Sequence, residues 1–178
     1  MKTITVKFPS ITAQEIYKKS KNKVGDDKLL WNIDWYKDED FFTKEETRKG
    51  KREIVLEIQH LGRSWNECNS LKGSSEMLNF AEVTYLAWKY PEFRKLLEYK
   101  YTWTSSRASD GRLVDFGSSD ADGAYVHGWT PGSVNGYLGV AFSRSLDSLN
   151  SESGNFDLEN RVKNLEKDME KIRKFLVF

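Results

Sequence analysis

The chain has 178 residues, of which 38% are hydrophobic and 31% are charged, and its 28 Lys and Arg against 27 Asp and Glu give a net charge of +1. This length suits one domain that buries its own core, and the balanced charge gives no overall attraction to nucleic acid or an anionic membrane. Cys68 is the single cysteine, which excludes an internal disulfide and the disulfide-stapled class of secreted lectins.

The first predicted elements are a strand and a helix. Thr3 to Phe8 alternates apolar with polar residues, which predicts a half-buried strand. Thr12 and Glu15 have the spacing of a capping box and predict a helix that begins after Thr12 and frays near residues 22–25. The run LLWNIDWY, from Leu29 to Tyr36, is rich in large apolar side chains, so we expect it to belong to the core as a helix or an irregular extended segment.

Further helices are predicted in the middle of the chain. Thr43 and Glu46 repeat the capping-box spacing, which predicts a charged helix that continues to Leu61. Residues 64–71 are expected to add a short helical turn. Apolar residues at helical spacing predict a serine-capped helix over residues 76–90, and Pro91 is expected to begin another helix. A strand over residues 99–105 follows.

The segment from Tyr101 to Ser145 differs in composition from the rest of the chain. Between Ser105 and Gly139 it holds seven of the twelve glycines, six serines and four aspartates, with no lysine and no glutamate. Small polar residues mixed with Tyr and Trp are typical of adaptable binding surfaces. Gly, Ser and Asp are also what hairpin turns require, so turn chemistry accounts for any single loop of the segment.

Motifs in this segment carry a family resemblance. WTSSR from Trp103, the glycine-rich middle and LGVAFSR from Leu138 resemble the C-terminal half of a C-type lectin fold. More narrowly, they are similar to the variable proteins of diversity-generating retroelements, over roughly residues 76–145 of this chain. The resemblance implies an α+β fold, in which helices pack against a small antiparallel sheet. In that family a reverse transcriptase rewrites displayed residues through adenine-directed mutagenesis.

The candidate binding residues follow from strand alternation and from this resemblance. Alternation places Tyr125, His127 and Trp129 on one face of a strand, with Trp129 by itself expected in the core. Adenine-directed mutation reaches codons for Tyr, His, Asp, Ser, Asn and Thr but not Trp, so Trp103, Leu113, Trp129, Val140 and Phe142 are expected to be scaffold. The resemblance implies ten variable, ligand-binding positions: Asp115, Ser119, Asp120, Asp122, Tyr125, His127, Thr130, Ser133, Asn135 and Tyr137.

The sequence offers little for catalysis, metal binding or nucleic-acid binding. No pattern couples a nucleophile to a base, so we expect no enzyme activity and no cofactor. Asp120 and Asp122 precede a glycine as in calcium loops, but the remaining ligands are missing, and a plain turn is the preferred interpretation. Zinc-type spacing is absent, so no metal is expected. Lysine is absent from Tyr101 to Arg161, which disfavours a nucleic-acid groove.

The last residues have heptad order. Residues 146–156 are rich in Ser, Asp and Asn and are interpreted as a linker, and residues 157–178 are predicted to form a coiled-coil helix. The charges at the flanking positions favour parallel self-pairing, and hence a homo-oligomer, over docking of the helix on its own domain. The predicted core positions are Leu158, Val162, Leu165, Met169, Ile172 and Leu176.

Together these observations predict a ligand-binding display protein. Residues 1–145 would form the lectin-like domain, with a variable region at about residues 105–139 that binds a protein ligand. The alternatives are a structural or assembly protein oligomerised by its coiled coil, and a lectin-like binding module of fixed specificity. No leader or membrane span is evident in the sequence, so we expect no membrane partner and a cytoplasmic location, with surface display by another route left open.

Overall fold

The computed structural model describes residues 2–147. Met1–Arg144 make up one compact unit. The predicted coiled-coil positions, from Leu158 to Leu176, lie outside the described residues and stay predictions. The elements in chain order are β1 Thr3–Phe8, α1 Ala13–Ser20, β2 Lys23–Val24, β3 Asp27–Lys28, α2 Asp40–Thr43, β4 Gly50–Val55, α3 Trp65–Leu71, β5 Glu76–Met77, α4 Phe80–Lys89, α5 Pro91–Leu96, β6 Tyr101–Arg107, β7 Leu113–Asp120, β8 Gly123–Trp129, β9 Leu138–Val140 and β10 Phe142–Ser145.

The strands form two four-stranded sheets and one short hairpin. The first sheet has the order β1-β4-β10-β5, with β1 antiparallel to β4 and β10 antiparallel to β5. The second sheet has the order β8-β7-β6-β9, in which β7 is antiparallel to both neighbours and β6 runs parallel to β9. With five helices beside these sheets, the predicted α+β class is confirmed.

The amino-terminal predictions are confirmed in detail. β1 occupies the predicted residues and alternates exposed and buried positions, with Val6 and Phe8 inside. In α1 the Thr12 hydroxyl accepts a hydrogen bond from the Glu15 N–H at 3.2 Å, and the Glu15 carboxylate accepts one from the Thr12 N–H at 2.9 Å. This reciprocal capping box satisfies two helix-terminal donors, and the helix ends as Lys21 adopts left-handed backbone angles.

The helix predicted from Thr43 to Leu61 is wrong. α2 ends at Thr43, and Gly50–Val55 is strand β4, paired along its whole length with β1. Arg52 and Ile54 are buried while their neighbours are more exposed, which is the two-residue period of a strand. The pairing with a strand almost fifty residues earlier is decisive, and such a long-range partner is invisible to local capping patterns.

The helices around Cys68 and Phe80 differ in part from the prediction. α3 is present and begins with a Ser64–Glu67 capping box. α4 begins at Phe80 and not at residue 76, because Glu76–Met77 pairs with β10 as strand β5. Its cap is Asn79, whose side-chain oxygen accepts a hydrogen bond from the Glu82 N–H at 2.8 Å, and not a serine. α5 begins with Pro91 as predicted and buries Phe93 and Leu97.

Two clusters of buried side chains hold the unit together. The larger one lies among α1, α2, α4 and the sheets, and its centre is a group of edge-to-face and stacked rings, where Phe80 contacts Tyr36, Phe41 and Phe116. The smaller cluster lies on the second sheet and contains Cys68 with the predicted scaffold residues, all of which are buried: Trp103, Leu113, Val140 and Phe142. No helix in residues 2–147 is long and apolar enough to cross a membrane.

The LLWNIDWY segment is only partly core. Its backbone is irregular, and Leu29, Leu30 and Tyr36 are buried as predicted. Trp31 and Trp35, however, remain 45% and 41% exposed. The segment runs beside β8, where Leu30 forms a parallel bridge with Ala124. This placement carries both indoles to the sheet that holds the candidate site.

Candidate binding face

Four rings form a continuous line on the second sheet, and we call Trp31, Tyr125, His127 and Trp129 the aromatic row. Trp31 stacks on Tyr125 with ring centroids 4.8 Å apart and planes 21° apart, and Tyr125 lies parallel to His127 at 6.4 Å. Trp129 meets His127 edge-on at 6.2 Å. The three β8 members are partly exposed, because alternate side chains of a strand share one face. This confirms the predicted common face of Tyr125, His127 and Trp129.

A buried carboxylate on β7 holds the row from behind. Asp115 is 1% exposed and lies directly opposite His127. One of its oxygens accepts the His127 backbone N–H at 2.8 Å and lies 3.2 Å from His127 Nδ1, and the other accepts the Trp129 indole N–H at 2.9 Å. Asp115 was predicted to contact a ligand, which its burial does not fit; it positions two residues that face outward.

The ionisation of this pair is coupled to its burial. Burial raises the pKa of the Asp115 carboxyl above its ordinary value, against the hydrogen bonds from His127 and Trp129 that lower it. The hydrogen bond to Asp115 raises the pKa of His127, against the effect of burial. Both shifts have the same direction, so the folded pair retains protons to higher pH than the separated groups do.

The loop that connects β8 to β9 adjoins the aromatic row. Its backbone reaches the row through Tyr101, whose N–H donates to the Tyr137 carbonyl at 2.8 Å and whose ring lies 5.3 Å from that of His127. Two local turns fold the loop: Thr130 and Ser133 hydroxyls meet at 2.9 Å, and the Asn135 side chain accepts the Tyr137 N–H at 2.9 Å. Tyr137 is 67% exposed. The structure therefore brings six predicted positions to one region: Tyr125, His127, Thr130, Ser133, Asn135 and Tyr137.

Three predicted positions lie elsewhere, at the turn between β7 and β8. Asp120 and Asp122 are exposed, and the Asp120 carboxylate accepts the Asp122 N–H at 2.9 Å, which is the side-chain geometry of a turn. Ser119 is 4% exposed, so it does not present its side chain to a ligand at the surface. Arg94 from α5 donates to the Asp120 carbonyl and fixes the turn to the helical layer.

Two residues of the site were missed from the sequence, Trp31 and Trp35. Trp31 extends the aromatic row, and the Trp35 indole N–H donates to the Val126 carbonyl at 3.1 Å on the outer edge of β8. Both were predicted to be core because they are large and apolar. The signal that separates them is the polar residue after or before each, Asn32 and Asp34, which interrupts a buried run at those points.

An open cleft lies beside the edge of β8. It has a volume of about 420 Å³ and is lined by Trp35, Arg112 and the strand from Val126 to Trp129. The guanidinium of Arg112 lies 5.8 Å from the Trp35 ring centre, and its Nε donates to Asp110 at 2.6 Å. Mixed aromatic and cationic lining of this kind suits a polar chain with some apolar contact.

Reactive chemistry is sparse in the described part of the chain. Within residues 2–147, no three His, Cys, Asp or Glu side chains are grouped so that they could hold a metal ion. Cys68 is fully buried, and burial raises the pKa of its thiol to about 11, which disfavours the nucleophilic thiolate.

The chain matches no family model, no curated protein and no solved structure. The functional argument therefore depends on the geometry above and on the resemblance of the segment from residue 101 to residue 145.

Proposed function

We propose that this protein is a ligand-binding display protein with a C-type lectin fold, whose ligands are proteins. The binding face consists of the aromatic row and the loop from Thr130 to Tyr137. The observation that carries the proposal is the junction of two kinds of residue in one place. Rigid aromatic rings are fixed by a buried carboxylate, and beside them small polar residues lie on a loop with turn geometry.

The physical reasoning concerns where binding energy arises. Tyr and Trp lose little conformational freedom on binding and are the most frequent energetic anchors of interfaces, while Ser, Asn and Thr supply adaptable hydrogen bonds. The scaffold beneath this face is buried and apolar, with Trp103, Leu113 and Val140 fully enclosed. Side chains of the face can therefore change with little effect on the packed core.

We further propose that a retroelement diversifies the face, as the resemblance implies. The burial of Asp115 and its two hydrogen-bonded neighbours support a narrower variable set than the sequence alone implied. Asp115 and Ser119 belong with the scaffold in this proposal, and Asp120 and Asp122 are peripheral. The variable set consists of Tyr125, His127, Thr130, Ser133, Asn135 and Tyr137.

A library experiment tests the binding function. Those six positions are randomised in a displayed form of the full chain, and the library is selected against several unrelated purified proteins. The control library randomises exposed positions on the first sheet, including Thr5, Lys7 and Lys51. We expect folded binders to several targets from the first library and few from the control. Equal yields from both libraries would contradict the proposed face.

Sequencing the coding locus in a population of cells tests the diversification. We expect a near-copy of the region that encodes residues 101–145, beside a reverse-transcriptase gene, with differences almost confined to adenines. An invariant, solitary locus would leave the binding face in place and remove the retroelement from the proposal.

A further inference from the structure

The outer edge of β8 is covered by backbone at its start alone. The Ala124 N–H donates to the Leu29 carbonyl, and its own carbonyl accepts from the Trp31 N–H, both at 3.0 Å. After this bridge the LLWNIDWY segment leaves the edge, and the covering of the strand passes to side chains. The Trp35 indole reaches the Val126 carbonyl at 3.1 Å, and Arg112 reaches the Gly128 carbonyl at 3.4 Å.

The direction of each backbone group on β8 follows from alternation. Because Ala124 bonds outward, Tyr125 and His127 point to β7, and Val126 and Gly128 point outward. Two contacts agree with this assignment: the His127 N–H donates inward to Asp115, and Val126 accepts from Trp35 outside the sheet. Within residues 2–147, no residue outside the sheet accepts a hydrogen bond from the Val126 or Gly128 N–H. Two donors thus face the cleft.

An unpaired strand edge of this kind is a template for another strand. The two N–H groups are two residues apart, so their spacing is about 6.8 Å, the same as that of alternate carbonyls in any extended chain. The cleft beside them offers about 420 Å³. Its geometry therefore fits an extended backbone better than a compact ligand.

The charge around the cleft defines the partner further. Arg112 and His127 are the titratable side chains that line it. The nearby acids are occupied: Asp110 binds Arg112, and Asp115 lies buried behind His127. A cleft lined by basic groups without an acid favours a partner that carries negative charge.

We propose that an extended, acidic segment of a protein partner adds to this edge of β8. Its carbonyl groups accept hydrogen bonds from the Val126 and Gly128 N–H, and its carboxylate contacts Arg112. The proposal depends on the proposed function, since it specifies how a protein ligand meets the same face. Main-chain pairing supplies an affinity that is independent of the ligand's sequence, and the aromatic row and loop then select among ligands.

The test uses peptides selected from a random display library by the full chain as the probe. We expect the selected peptides to be enriched in Asp and Glu. We also expect the Val126 and Gly128 amides to exchange hydrogen at least about tenfold more slowly in the peptide complex, as paired strand amides do. Gly128→Pro removes one donor and should weaken peptide binding about tenfold or more, because a peptide carbonyl is left without a partner.

Gly128→Ala is the matched control, since it keeps the N–H. An added Cβ would lie 3.2 Å from the flexible end of Arg112, so this variant should bind within about twofold of the native chain. The hydrogen-exchange result on the native chain holds even if Gly128→Pro does not fold.

Three outcomes would overturn the inference. Selected peptides that leave both amides unprotected would place binding away from the edge, and loss of their binding in Tyr125→Ala would then preserve the proposed face. A failure to select any peptide, while the randomised face still yields protein binders, would refute the extended segment alone. Concentration-dependent protection of the two amides without peptide would assign the edge to a second copy of this chain.

Discussion

Replacement of the buried Asp115 carboxylate tests whether it supports the face or belongs to the displayed set. In Asp115→Ala the His127 backbone N–H and the Trp129 indole N–H lose acceptors at 2.8 and 2.9 Å. Each lost bond costs about 1–1.5 kcal/mol, and a charged acceptor lies at the upper end. Relief of the desolvation that raises the Asp115 pKa offsets a part. The expected net loss is about 2 kcal/mol.

The assay is urea denaturation at pH 7 together with the melting temperature. A loss of about 2 kcal/mol should lower the melting temperature by about 4–8 °C in a unit of this size, at an unchanged m-value. Asp115→Asn keeps one acceptor oxygen but turns an amide donor to the other N–H, so its loss should be intermediate. Asp122→Ala is the control, because Asp122 is an exposed acid of the same hairpin, and its effect should stay within about 0.5 kcal/mol.

A shift of Asp115→Ala no larger than that of the control would refute this reasoning. It would mean that water replaces the carboxylate at no cost, and that Asp115 could vary as freely as a displayed residue. An intermediate Asp115→Asn, in contrast, would assign the loss to the two hydrogen bonds and not to packing volume.

Three further predictions concern backbone space, pH and thiol reactivity. Gly123→Ala should lower the free energy of unfolding by about 2–4 kcal/mol in urea denaturation, because φ is +109° and a Cβ would lie 2.4 Å from the Leu30 carbonyl carbon; Gly132→Ala, with open space around it, should be neutral, and equal losses would contradict the steric argument. The folded-state pKa of His127 is raised above 6.5, so its contribution to stability is complete below that pH and is lost as pH rises through the folded-state pKa; the melting temperature should fall over this window in the native chain and fall less in His127→Gln, and identical slopes would oppose it. Cys68, with its pKa raised to about 11 by burial, should resist iodoacetamide at pH 8 until the chain is unfolded in urea, and rapid labelling of the native chain would show that the thiol is accessible.

Local chemistry made part of the fold predictable. The Thr12–Glu15 capping box, the Pro91 helix start and the alternation of β1 depend on neighbours in sequence, and each has the predicted form. The Thr43–Glu46 pattern has the same local appearance but is overridden by the pairing of β4 with β1. A capping box contributes about 1 kcal/mol, which is less than the burial of a whole strand contributes.

The candidate site was predictable to a similar degree. Strand alternation gave the common face of Tyr125 and His127 correctly. It could not indicate that Asp115 lies buried beneath them, because an aspartate in a Gly- and Ser-rich segment has the composition of a turn. Nor could it show that Trp31, far away in the sequence, stacks on Tyr125 at 4.8 Å. Tertiary proximity of this kind has no local signature.

The position of β10 in the first sheet has a consequence for folding on the ribosome. β10, Phe142–Ser145, lies between β4 and β5, so this sheet stays incomplete until almost all of the described chain has been made. Pairings over such sequence distances form slowly and late. The strand that closes the sheet is separate from the loop that begins at Thr130. A change in that loop therefore leaves the final closing step intact, so that chains with different faces can complete folding by the same last event.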